Sequence, residues 1–229
     1  MLNKLNLIVN KIATLPTTAK VAMFIVLLII IGLVTGLILG VWNTTPVTKP
    51  EIIDPNDKVI SYSVEIPDET LPDEDYVWYG RHSDPKSISL PSINTKGFVM
   101  KVTVDQNVQI AVPDNIHFAG WFVDSVRPGD TGLSIIDGHI DGPSIGGIFK
   151  DLGNLKPADE FTIEMGDGSL RKFRVKEVIT VDTNDAAPIL YSQYADVKSQ
   201  LNLISCAGIF LADEGTYDKR IIVTSEYLP

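Results

Sequence analysis

Residues 21–42 run for 22 positions without a charged side chain, and this stretch limits the fold more sharply than anything else in the chain. At ~1.5 Å of rise per residue, a helix of that length spans about 33 Å, enough to cross a hydrocarbon core of ~30 Å. A lone segment in lipid must satisfy its own backbone hydrogen bonds, which leaves the helix. A secretory h-region is shorter, about 7–15 residues, and ends at small residues; Gly40-Val41-Trp42-Asn43 offers no such site. A soluble core helix would carry a polar face, and this stretch has none. It reads as an uncleaved membrane anchor, with residues 1–20 as a cytoplasmic tail.

Charge sets the orientation. Residues 1–42 hold Lys4, Lys11 and Lys20 and no acid, so a formal net charge of −10 for the chain leaves −13 beyond the anchor. The positive-inside rule puts the N-terminus in the cytoplasm and the C-terminal part outside the cell, with Trp42 at the level of an interfacial aromatic. The acidic exterior argues against nucleic acid as a partner, because phosphate binding needs clustered Lys and Arg. Gly32, Gly36 and Gly40 fall every fourth residue. That spacing lets two membrane helices approach closely, so a homodimer through this face is one reading; the ordinary abundance of glycine in membrane helices is the other.

Residues 43–85 read as an acidic, Pro-rich stalk. Pro46, Pro50, Pro55, Pro67, Pro72 and Pro85 remove ladder donors, and the acids outnumber the bases, which favours extended or weakly ordered chain. Tyr76-Val77-Trp78-Tyr79 interrupts it. Docking on the globular domain, contact with the membrane surface and a local packing patch are the readings of that cluster. From residue 86 to 229 the pattern is all-β: short apolar runs separated by turn signals. Strands are expected at 98–104, 108–112, 133–136, 161–165, 173–181, 201–205 and 221–225. Gly166-Asp167-Gly168 marks a hairpin, and Leu190, Tyr194 and Val197 place a short helix within 188–200. These elements make a β-barrel-like domain large enough for a core of its own.

The chain has one cysteine, Cys206. Outside the cell cysteines usually pair, and a lone one is either a small buried hydrophobe or a reactive thiol. Its place after Leu203-Ile204-Ser205 and before Ala207-Gly208 puts it at a strand's exit. A cysteine nucleophile needs a proton partner and a cation, since only a few per cent of an ordinary thiol is thiolate at neutral pH. Of three histidines, His82 lies in the stalk and His117 sits among Ile116, Phe118 and Trp121 as an edge or core residue. His139 ends the apolar run Ile135-Ile136-Asp137-Gly138, beside a glycine that permits close approach, and is the natural candidate. Arg220 begins the run Ile221-Ile222-Val223 just after the loop that leaves Cys206, and reads either as a solvated charge or as the cation.

Gly138-His139-Ile140-Asp141, Leu203-Ile204-Ser205-Cys206 and Arg220-Ile221-Ile222-Val223, in this order, resemble the His, Cys and Arg motifs of the sortases. The family's T-L-x-T-C reads here as Asn202-Leu203-Ile204-Ser205-Cys206, with serine for the second threonine and asparagine for the first. The stretches at Ile88–Pro91, Gly120-Trp121, Pro128-Gly129-Asp130 and Ile148-Phe149 are similar to class E and F members. The resemblance covers residues 85–229. It implies an eight-stranded sortase-type β-barrel with short helices, and a membrane-held cysteine transpeptidase. Cys206 would attack a carbonyl in a C-terminal motif like L-P-x-T-G on a secreted protein, and form a thioester. His139 would protonate the departing amine, and Arg220 would hold the substrate and the oxyanion. An amine of peptidoglycan or a pilin-like lysine would resolve the thioester. Ser205 and Ile204 would line the substrate groove. The Asp-Pro-aromatic lid motif of pilin-linking sortases is not matched, because Lys86 follows Asp84-Pro85.

Two rival readings stand beside this one. An L,D-transpeptidase would carry a serine-histidine-glycine-cysteine core, which Cys206 lacks. A catalytically silent anchored β-barrel, a binding protein or adhesin, is the non-enzymatic alternative. No metal, cofactor or nucleotide site is indicated by clustered ligands, an EF-hand register or a phosphate loop.

Overall fold

The computed structural model describes residues 59–64 and 66–229, together with Pro16 and Thr18. The anchor reading and its Gly32, Gly36 and Gly40 face fall outside the described residues. Among the described residues no helix is long and apolar enough to cross a membrane. The chain divides into two compact units, residues 1–50 and 51–229, and the second carries the fold.

Nine strands form one sheet among the described residues: β1 (Val59–Ile60), β2 (Pro85–Leu90), β3 (Thr95–Val102), β4 (Ala119–Phe122), β5 (Gly132–Gly138), β6 (Glu160–Met165), β7 (Leu170–Asp182), β8 (Ser199–Leu211) and β9 (Thr216–Leu228). A short helix, α1 (Ala186–Leu190), connects β7 to β8. The order is β1-β3-β2-β6-β7-β9-β8-β5-β4, and β4 pairs back to β3. That last pairing, parallel from Val99↔Ala119 to Val102↔Phe122, closes β2 to β9 into an eight-stranded barrel and removes the open edges. β1 adds to β3 at Lys101 and Val102, beyond the stretch that pairs with β2.

Alternation fills the interior. Ile88, Leu90, Val99, Trp121, Ile136, Phe161, Ile163, Phe173, Leu201, Leu203, Ile221 and Val223 form one buried cluster, with Phe161 and Phe173 stacked at 5.5 Å. Each fully buried side chain of this size contributes about 1.5–3 kcal/mol. Three buried serines brace the strand that carries Cys206. Ser134 donates to Gln200 O at 3.0 Å, Ser225 to Leu201 O at 2.7 Å and Ser205 to Gly138 O at 2.7 Å. Buried hydroxyls are tolerated because each finds a carbonyl.

Several sequence expectations shift. No strand forms at 108–112. The Asp105 carboxylate accepts the N–H groups of Asn107 and Gln109, and Val108 takes a positive φ of 59°, so the run folds into a turn bridged only at Val104 and Ile110. The helix ends at Leu190 because Gln200 and Asn202 claim the chain beyond it. Asn202 Nδ2 donates to Leu190 O at 2.7 Å and Gln200 Nε2 to Ser192 O at 2.9 Å, while Gln200 Oε1 accepts the Tyr194 N–H. β7, β8 and β9 run well past their apolar stretches.

Residues 59–64 and 66–84, within the stretch the sequence reads as stalk, lie on the barrel. Tyr76 packs between Phe98 (4.8 Å) and Phe118 (5.1 Å), and Trp78 Nε1 donates to Val99 O at 2.8 Å. Asp84 is 1% exposed and bonded to Arg127 at 3.1 Å and Lys101 at 3.5 Å. Glu69 accepts the N–H groups of Ser144 and Ile145, and its carbonyl meets His117 Nε2 at 3.0 Å. Aromatic area and satisfied carboxylates offset the loss of chain entropy that Pro and like charge alone would not.

Candidate active site

The same alternation that buries Leu201, Leu203 and Ser205 turns Asn202, Ile204 and Cys206 to the outer face of β8. On β9, Ile221 and Val223 point inward, so Arg220 and Ile222 point out. On β5, Ile136 points inward while Ile135 and Asp137 point out, and His139 follows one residue past the strand in the same phase. Ile135, Ile204 and Ile222 pack with Ala186 and Leu190 of α1, which roofs part of this face. The remaining space is a cavity of about 290 Å³ whose walls include Asp137, His139, Ile204, Ser205, Cys206 and Arg220, together with residues of the 108–112 turn.

The structure therefore brings together every residue the sequence singled out, with two corrections of placement. Cys206 lies inside β8 rather than at its exit, and its Cα partner across the ladder is Arg220, inside β9 rather than at its start. The irregularity comes just after: the register shifts between Ala207 and Phe210, where Gly208 takes φ +85°. Bulges of this kind re-aim neighbouring side chains at active sites. Gly138 is required for a different reason, since a Cβ there would stand 2.6 Å from the Phe149 ring. His82 is exposed and His117 is tied to Glu69; neither lines the cavity.

The electrostatics favour a neutral resting pair. Burial pushes the Cys206 thiol up to about 11, against the pull of Arg220 and with Asp137 and Asp141 adding to the rise. Burial pushes His139 down, and the Pro113 carbonyl, Asp141 and Asp114 oppose it. Its Nε2 faces that carbonyl at 2.7 Å. A carbonyl only accepts, so Nε2 carries the proton and Nδ1 keeps the lone pair. Arg220 gives NH1 to Thr183 Oγ1, Tyr217 O and Lys219 O and NH2 to Thr216 Oγ1, each at 2.9 Å. All four acceptors are neutral, and among the described residues Arg220 makes no ion pair. Its positive charge is held in place and left for an anion developing in the cavity.

Ser205 is buried with its hydroxyl on Gly138, tying the strand of Cys206 to the strand that ends at His139. Asn202 explains what the departure from the family's threonine does here: it anchors the end of α1. Sequence reasoning missed Asp137, although a carboxylate within the apolar run 133–138 is a readable signal. It also missed Thr183 and Tyr217, which had none; the Tyr217 hydroxyl donates to Asp141 and so links the β8–β9 hairpin to the His139 loop.

Residues 88–227 match the family model described as the sortase domain. Among solved structures, the chain is similar to a lid mutant of sortase A from Corynebacterium diphtheriae (22% identity over 63% of this chain and 70% of that one, TM-score 0.49). It is similar also to sortase C-1 from Actinomyces oris (22%, 64% and 75%, 0.46) and to sortase C of Streptococcus pneumoniae (18%, 65% and 70%, 0.48). No curated protein matches. The family model spans more than half of the chain, which belongs to the sortase family of cysteine transpeptidases.

Proposed function

We propose that this sortase is held in the membrane by residues 21–42, faces the cell exterior, and joins secreted proteins to an amine through a thioester on Cys206. The single observation that carries the reading is the meeting of Cys206 of β8, Arg220 of β9 and His139, which follows β5, on one cavity. As Sγ attacks the carbonyl carbon of a residue in the sorting motif, His139 takes the thiol proton on Nδ1, and the carbonyl oxygen becomes an oxyanion beside Arg220. The C–N bond breaks, His139 protonates the leaving amine, and a thioester remains. An incoming amine then attacks the thioester and gives its proton to His139; the C–S bond breaks, and the released thiolate takes that proton back to restore the neutral pair. The mixed cavity walls, apolar at Val108, Ile110, Leu190 and Ile204 and polar at Thr183 and Arg220, suit an L-P-x-T-G-like peptide. The acceptor is an amine of peptidoglycan or a pilin-like lysine; the former is favoured because Asp84-Pro85 is built into the barrel and forms no lid motif. The class E and F affinity rests on the sequence stretches alone.

The test uses the full chain in detergent with candidate sorting peptides. Mass spectrometry is expected to find an adduct on Cys206 that hydroxylamine releases, and none in Cys206→Ala. Peptide cleavage persisting in Cys206→Ala would sink the mechanism, and normal turnover by His139→Ala or Arg220→Ala would remove that residue's role. Protease added to intact cells should degrade the barrel; a protected barrel would overturn the orientation.

A further inference from the structure

Asp137 shares the outward face of β5 with His139, one alternation earlier, and its Cα partner on β8 is Ile204, two residues before Cys206. At ~3.3 Å of rise per residue it lies about 7 Å along the cavity from the level of the nucleophile. Ile110, Leu190, Tyr191 and Ile204 line the same cavity. Oδ1 accepts the Gly138 N–H, and among the described residues no side chain donates to this carboxyl. The nearest cation, Arg220, has turned its NH1 and NH2 groups to Thr183, Tyr217, Lys219 and Thr216. Leu133 and Ile135 occupy the equivalent outward positions of the same strand with apolar side chains. A carboxyl with one donor in such surroundings is costly, and burial pushes it up to about 7 in spite of Gly138 and Arg220. A ligand that brings N–H donors and positive charge relieves that cost; a neutral apolar one does not.

We propose that Asp137 receives an alkylammonium group of a substrate and seats it in the cavity beside Cys206. The inference rests on the sortase reading above, in which a primary amine, cationic at neutral pH, is consumed at this cavity. The same chemistry is available from a lysine side chain of the sorting peptide, and the two sources separate by the step they affect. Asp137 forms no covalent bond in either case.

The experiment uses the full chain, wild type and Asp137→Asn, which keeps the side-chain volume and an acceptor for Gly138. The thioester is first formed with a peptide lacking cationic side chains, then resolved by an alkylamine or by hydroxylamine, which is neutral at the assay pH. If the acceptor is the source, the wild type's selectivity for alkylamine over hydroxylamine falls about tenfold or more in Asp137→Asn. If the peptide is the source, the preference in acylation rate for a lysine-containing peptide over its norleucine counterpart falls by a similar factor. Loss of both nucleophiles in equal proportion, or no change in either ratio, overturns the inference and leaves the sortase reading standing. Absence of any wild-type thioester overturns both. Should Asp137→Asn fail to fold, raising salt on the wild type substitutes. It should depress the alkylamine or lysine-peptide rate relative to its neutral counterpart, and parallel rates refute the role.

Discussion

Cys206 is the only cysteine in the chain, so the reactivity of the whole protein toward a thiol alkylating agent reports on one group. With its pKa pushed up to about 11, the thiolate fraction at pH 7 is on the order of 10⁻⁴, against about 3% for an ordinary thiol near 8.5. That is a deficit of about 300-fold. A more basic thiolate is also more nucleophilic, and a Brønsted slope of about 0.4–0.5 over 2.5 units returns roughly tenfold. The net expectation is alkylation by iodoacetamide about 30-fold slower than free cysteine at pH 7, with half-burial slowing it further. The rate should rise about tenfold per pH unit from 7 to 10, with no plateau. Arg220 lowers the thiol's pKa and Asp137 raises it. Arg220→Gln should therefore slow alkylation at fixed pH, and Asp137→Asn should speed it. The assay is intact-protein mass spectrometry at timed quench points. A plateau between pH 6 and 8 would mean a preformed thiolate–imidazolium pair and would refute the neutral resting state argued from burial.

The same shift has a consequence for stability: the unfolded chain loses the thiol proton near 8.5 and the folded chain only near 11, so wild type should lose about 1.4 kcal/mol per pH unit across that window relative to Cys206→Ala, as read by urea midpoints. Asn202→Ala leaves the Leu190 carbonyl without its side-chain donor and takes one of two acceptors from Gln200 Nε2, which should cost about 1–3 kcal/mol and raise KM for the sorting peptide as the α1 wall loosens; an unchanged KM would contradict the tether. Phe173→Ala removes a fully buried ring stacked on Phe161 and should cost about 3–5 kcal/mol by denaturant titration. A chain beginning at residue 86 loses the Tyr76 and Trp78 contacts and the buried Asp84 carboxylate that pairs with Arg127 and Lys101. It should melt roughly 10 °C or more below one beginning at residue 51, and equal melting would show that the segment before β2 adds no stability.

Much of the barrel is legible in the sequence because a strand's two faces are written in a period of two, which is local information. The runs at 133–136, 161–165, 201–205 and 221–225 and the Gly166–Gly168 hairpin all reappear. Boundaries were less legible, since β8 and β9 keep their ladder after the apolar alternation ends. The turn at 108–112 was misread because one carboxylate, Asp105, offered the backbone a better set of hydrogen bonds than a strand would.

Local pattern alone yields the roster: an all-β domain behind an apolar 22-residue stretch, one thiol, and His139, Cys206 and Arg220 in motifs that resemble the sortases. Where that thiol works is set by strand pairing in the closed barrel. Cys206 faces outward from the middle of β8 because alternation fixes its side, while its neighbours are fixed by pairing with β5 and β9. Those ladders join Cys206 to Arg220 and Ile204 to Asp137, residues 14 and 67 positions apart. No local pattern encodes such distances. The charge balance around the thiol, with Arg220 pulling one way and Asp137 the other, exists only once the barrel has closed.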